Sequence, residues 1–91
     1  MNAGSRFVDM KTCQVDRFAL GRDSRTGEHY LSIPVSNRLV DYEEYYRLEP
    51  TLYEGFLIDD HAAAAFAEAC RAREHDERLI FPPGSDRGTA V

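Results

Sequence analysis

The stretch Arg38 to Leu48, RLVDYEEYYRL, decides the fold. Read as a strand it alternates at period two, with Val40, Tyr42, Tyr46 and Leu48 on one face, interrupted only by Glu44. Leu39, Asp41, Glu43, Tyr45 and Arg47 then share the other face. A helix competes for the same residues, because Asp41 and Glu44 have capping-box spacing and Tyr42, Tyr45, Tyr46 and Glu49 fall at helical intervals. Strand is preferred on three grounds. Tyrosine and valine suit a pleated, half-buried surface, Pro50 biases Glu49 towards extended backbone, and the residues before Arg38 are already strand-like.

Upstream, Glu28 to Ser36 alternates most cleanly, with His29, Leu31, Ile33 and Val35 on one side and Tyr30, Ser32 and Pro34 on the other. Pro34 has no N–H for a ladder, which predicts either an edge position or a local interruption. Ser36-Asn37 makes a tight connection into the opening stretch. Before it, Asp23-Ser24-Arg25-Thr26-Gly27 reads as a hairpin loop, in which Asp23 accepts backbone hydrogen bonds and Gly27 adopts positive φ. Cys13 to Arg22 is read as the first strand of the resulting three-stranded meander. Phe7, Val8 and Met10 fit a strand or one turn of helix equally, and Met1 to Ser5 is expected to fray.

Downstream the period changes. Pro50 suits the first position of a short helix carrying Leu52, Tyr53, Phe56 and Leu57 on one face. Asp59 and Asp60 offer N-caps for a second helix running to about Asp76, with Ala62, Ala65, Phe66, Ala69 and Cys70 as its apolar stripe. Leu79-Ile80-Phe81 is a short fourth strand or a packed extension, and Gly84 to Val91 is expected to be a mobile tail. The fold class is therefore α+β: a three-stranded antiparallel meander covered on one face by a short and a longer C-terminal helix.

The chain has 91 residues, 43% hydrophobic and 30% charged, which fits one small domain whose phenylalanines and tyrosines supply most of the burial. Ten arginines against one lysine suit a GC-rich bacterial genome. With no apolar run long enough to span a bilayer and no signal-like N-terminus, a cytoplasmic protein is expected. Cys13 and Cys70 are then free thiols. Asp41 to Asp60 holds seven carboxylates against Arg47 alone, a net −6 that exceeds the −5 of the whole chain. Such a balance opposes generic nucleic-acid binding, which needs a concentrated basic footprint.

Motif chemistry is sparse. The sequence has no P-loop, dinucleotide fingerprint, nucleophile elbow or HExxH helix. Asp59-Asp60-His61 reads as a helix start rather than a metal site, and His61 and His75 stand roughly 21 Å apart on a helix of about 1.5 Å rise. No metal or cofactor is expected. Two function classes remain. The favoured one is a small interaction module, inhibitor- or immunity-like in size and charge alone, that binds a basic protein through Asp41, Glu43, Glu44 and Tyr45. The alternative is a small enzyme using His29, Cys13 or a carboxylate in a pocket between sheet and helix. A homodimer is expected from a Pro34-bearing edge on a sheet too small to hide it, and a homodimeric structural subunit is the second alternative.

Overall fold

A computed structural model describes residues 6–91, so the expectation for Met1 to Ser5 lies outside the described residues. The α+β class holds. The antiparallel sheet comprises β1 (Phe7–Cys13), β2 (Phe18–Asp23), β3 (His29–Ser36), β4 (Asp41–Leu48) and a two-residue β5 (Thr89–Ala90). The order is β1-β2-β3-β4, and β5 pairs with β3. Helices α1 (Pro50–Ile58) and α2 (Asp60–Arg71) cover one face.

The opening stretch is a strand, as its alternation predicts, but it begins at Asp41. Arg38 to Val40 belong to the turn, where Asn37 Oδ1 accepts the amides of Leu39 and Val40, each at 2.8 Å. Leu39 and Val40 are left exposed at its tip. The loop before β3 forms as expected: the Arg25 amide donates to Asp23 Oδ1 at 3.0 Å, and Gly27 has φ 81°.

Cys13 to Arg22 is not one strand. The chain reverses through residues 14–17, with Arg17 at φ 54°, and the fourth meander strand is β1, formed by the residues that had no clear period. Leu79 to Phe81 contributes only a bridge from Leu79 to Tyr46 and an Ile80 amide bonded to Tyr45 O, which shield the outer edge of β4.

Pro34 is an interruption, not an edge. β3 lies between β2 and β4; β2 pairs with it only as far as Ser32, and β5 takes over at Val35. The missing N–H falls in the gap. The free edge is therefore β1, which carries a bulge between Asp9 and Lys11, and both a bulge and a lysine oppose strand addition. The homodimer expectation loses the edge on which it rested.

Phe18, Leu20, Leu31, Ile33, Val35, Tyr46 and Leu48 meet Tyr53 and Phe56 of α1 and Ala63, Ala67 and Cys70 of α2 in the core. The stripe of α2 is thus turned by about one residue from Ala62/Phe66/Ala69, and Ala65 faces solvent. Ala63 and Ala67 are fully buried against the sheet, where small side chains permit close packing. Phe66 packs instead at the flank, tilted on Phe56 at 5.2 Å and stacked on His75 at 4.3 Å.

The helix also stops at Arg71, five residues early. Arg73 adopts φ 62°, its amide bonds Cys70 O, and the Glu74 amide bonds Ala69 O, the Schellman pattern. Asp59 caps the start as expected, accepting from the Ala62 amide at 3.1 Å.

Candidate functional site

The sheet face opposite the helices is concave. In a flat sheet β1 and β4 would lie about 14 Å apart at roughly 4.8 Å per strand, with side chains standing parallel. Instead Phe7 of β1 stacks on Tyr45 of β4 with centroids 3.8 Å apart, and both meet Tyr30 edge-on at 5.5 and 5.0 Å. Gly21 permits the curl. A Cβ at that position would overlap the Val8 carbonyl and the Tyr30 hydroxyl, so only glycine lets β1 close over β3.

Tyr30, fully buried, donates its hydroxyl to Asp9 Oδ1 at 2.6 Å. Beyond it a groove of about 350 Å³ runs across all four meander strands, lined by Asp9, Cys13, Arg17, Ala19, Pro34 and Glu43 among others. Ala19 and Pro34 give its floor low relief. Glu43 belongs to an exposed position, yet its carboxyl is held above the usual glutamate range. The concave wall around the carboxyl is the main cause; Ser32 opposes it by hydrogen bonding, and the charge of Asp9 adds to it. Burial first, then Glu43 and Asp9, push the Tyr45 hydroxyl up to about 12. Two carboxylates without an ion pair among the described residues thus share one groove with a single cation on its lining, Arg17.

The four expected binding residues separate. Asp41 and Glu43 lie on the concave side of β4, and Tyr45 lies there too but spends its ring on Phe7 and Tyr30. Glu44 turns inward. At 8% exposure it accepts from Tyr46 Oη at 2.7 Å and from Arg87 Nε and Nη2 at 2.7 and 3.1 Å. Arg87 also grips Asp76 through two bonds of 2.9 Å, which hold the Asp76 carboxyl below its usual range. Glu44 is therefore a buried partner of Arg87 and no part of an external surface.

Other members of the acidic run are spent in the same way. Glu49 pairs with Arg78 at 3.0 Å, Asp60 pairs with Lys11, and Asp59 caps α2. Asp41, Glu43 and Glu54 make no ion pair among the described residues. Charge concentrated within twenty residues of sequence is therefore not charge on one surface, because the neutralising cations arrive from 29 to 49 positions away.

His29 and Cys13 do not meet. His29 stacks on Tyr53 at 4.1 Å beside a cavity formed by residues 26–29 and 47–50, while Cys13 borders the concave groove with Sγ 3.7 Å from Asp16 Oδ2. Cys70 is buried against the sheet, which pushes its thiol up to about 12. Both cysteines are unpaired. Among the described residues no group of three or more His, Cys, Asp or Glu side chains is arranged to hold a metal ion. Among the described residues no helix is long and apolar enough to cross a membrane.

Asp9, Tyr30 and Arg87 were not singled out by sequence. Glu44 carried the usable signal, since a lone acid on an apolar face demands a buried cation. No family model, curated protein or solved structure matches the chain.

Proposed function

We propose that this chain is a small protein-interaction module that receives a basic segment of another protein in the concave groove, with a cationic side chain seated between Asp9 and Glu43. One observation carries the reading: two carboxylates without an ion pair among the described residues line the same groove, and the surroundings of one of them, Glu43, disfavour its ionised form. A bound ammonium or guanidinium group would relieve that cost, because opposite charge within a few ångströms favours the carboxylate. Compared with the four residues named from sequence, Glu43 stays at the centre, Asp41 flanks it, Tyr45 shapes the wall from within, and Glu44 drops out.

Titration of the labelled chain with an octalysine peptide, followed by amide chemical shifts, tests this. The expected result is a set of shifts at Asp9, Ala19, Ser32 and Glu43 that fades as salt rises. Shifts centred on Glu54, Glu68 and Glu74 of the helical side would contradict it.

A further inference from the structure

β3 has a length of edge that β2 leaves bare, from Ile33 to Ser36. Residues 87–91 fill it. Thr89 and Ala90 pair with Ser36 and Val35, and the Val91 amide donates to Pro34 O at 3.3 Å. At the inner end the Arg87 guanidinium lies between Glu44 and Asp76, forked to both carboxylates. The Gly88 amide donates to Tyr42 Oη at 2.7 Å. A Cβ on Gly88 would stand 2.6 Å from the Ser36 carbonyl carbon and oxygen, so the slot admits only glycine there. It selects for arginine, then glycine, then two residues of strand.

Every wall of this slot comes from elsewhere: β3, Tyr42 and Glu44 of β4, and the Asp76–Arg78 turn. The occupant is joined to it by residues 81–86, which include Pro82-Pro83 and form neither helix nor strand. We propose that the slot is a receptor site for an extended Arg-Gly segment of another protein, and that residues 87–90 are a competing occupant supplied in cis. Forked carboxylate pairs recognise arginine over lysine, because only the planar guanidinium offers parallel donors. Main-chain pairing on a strand edge supplies the rest. A two-residue ladder is weak, and the cis occupant persists through its tether, whose effective concentration is on the order of millimolar for a short linker. An incoming segment must outcompete that. Val91 also borders the concave groove, but the slot and the groove are different sites and stand or fall separately.

The test uses the full chain and a labelled peptide of residues 84–91, GSDRGTAV. Arg87→Ala empties the acceptor, and Gly88→Ala expels the segment while leaving Glu44 and Asp76 intact. Both variants should bind the peptide at least about tenfold more tightly than wild type, where the tethered segment competes. The same peptide carrying Arg87→Lys should bind them at least about tenfold more weakly. Equal binding to all three chains, or equal binding of the lysine peptide, would overturn the proposal. Should both variants be unfolded, hydrogen exchange of the wild type decides: Gly88 and Val91 amides must exchange far faster than that of Leu31. Equal protection would make the segment a fixed part of the core and end the idea.

Discussion

Glu44 and Asp23 are the two acids this small domain buries, and each is held by one arginine from a distant part of the chain. Removing one partner of such a pair leaves a charge without compensation, so Arg87→Ala should cost roughly 3 kcal/mol, the low end for a buried pair, since Asp76 still reaches water. Chemical denaturation measures it. Asp23 is fully buried, and its carboxyl is held below the usual range first by the Arg6 bonds, against the opposing effect of burial. Its folded pKa therefore lies below the unfolded value of about 4. The stability it contributes is complete above that value and is lost as pH falls through the folded pKa. Asp76 acts in the same direction. The melting temperature should fall below about pH 4, and Arg6→Ala should flatten that fall. Glu43 has the opposite sign, because its raised pKa makes ionisation a burden on the fold. Glu43→Gln should raise stability at pH 7 by no more than about 0.5 kcal/mol, given its exposure. Glu44 was legible as the one residue out of pattern in the deciding stretch; its partner was not, because nothing local points 43 positions along to Arg87.

At the level of elements, two boundaries moved because left-handed backbone is carried by arginines, which do not announce it. The β1–β2 turn has Arg17 at φ 54° and no glycine or proline, so alternation runs through it and makes Cys13 to Arg22 read as one strand although residues 14–17 are the turn before β2. Arg71 of α2 holds that turn through the carbonyls of Asp16 and Arg17, a contact across more than fifty residues. The end of α2 likewise places Arg73 where glycine is usual. Arg73→Gly should stabilise the protein by up to about 1 kcal/mol by removing the Cβ strain, less the weak 3.4 Å bond from Arg73 to Gly88 O. The alanine run 62–65 gives no periodic signal, and so the helix was turned by one position in the sequence reading. Gly21 marks the opposite situation, a glycine whose need is structural but invisible without the curl of the sheet. Gly21→Ala should destabilise by roughly 2 to 3 kcal/mol, since the obstructing Val8 carbonyl is backbone and cannot rotate away. Calorimetry of the two variants should show opposite shifts.

For the whole molecule, the acidic excess is less a surface field than the sequence implies, because Arg87, Arg78 and Lys11 are folded onto it. Of the acids without an ion pair among the described residues, the curvature of the sheet brings Asp9 and Glu43 together in one groove, while Asp41 and Glu54 do not line it. The three most exposed large apolar residues, Val15, Leu39 and Ile58, lie in the β1–β2 turn, in the β3–β4 turn and at the end of α1. With β1 bulged and β4 shielded by residues 79–80, strand-edge association is opposed, and light scattering at micromolar concentration should give one chain of 10.4 kDa. A mass about twice that would show a surface other than a strand edge at work. The α+β class and the helical cover were legible because period two and period 3.6 each persist over whole elements. The concave face was not, since it depends on Gly21, Tyr30 and Asp9 meeting across strands. The most direct test compares octalysine affinity for Asp9→Asn with Glu43→Gln, and for Glu54→Gln with Glu74→Gln, two exposed acids outside the groove. Both pairs change net charge by the same amount, and asparagine at position 9 keeps an acceptor for Tyr30. The account predicts a loss of about tenfold or more for the groove pair, roughly 1.4 kcal/mol, and little for the helical pair. Equal losses in the two pairs, or none in the groove pair, would contradict it.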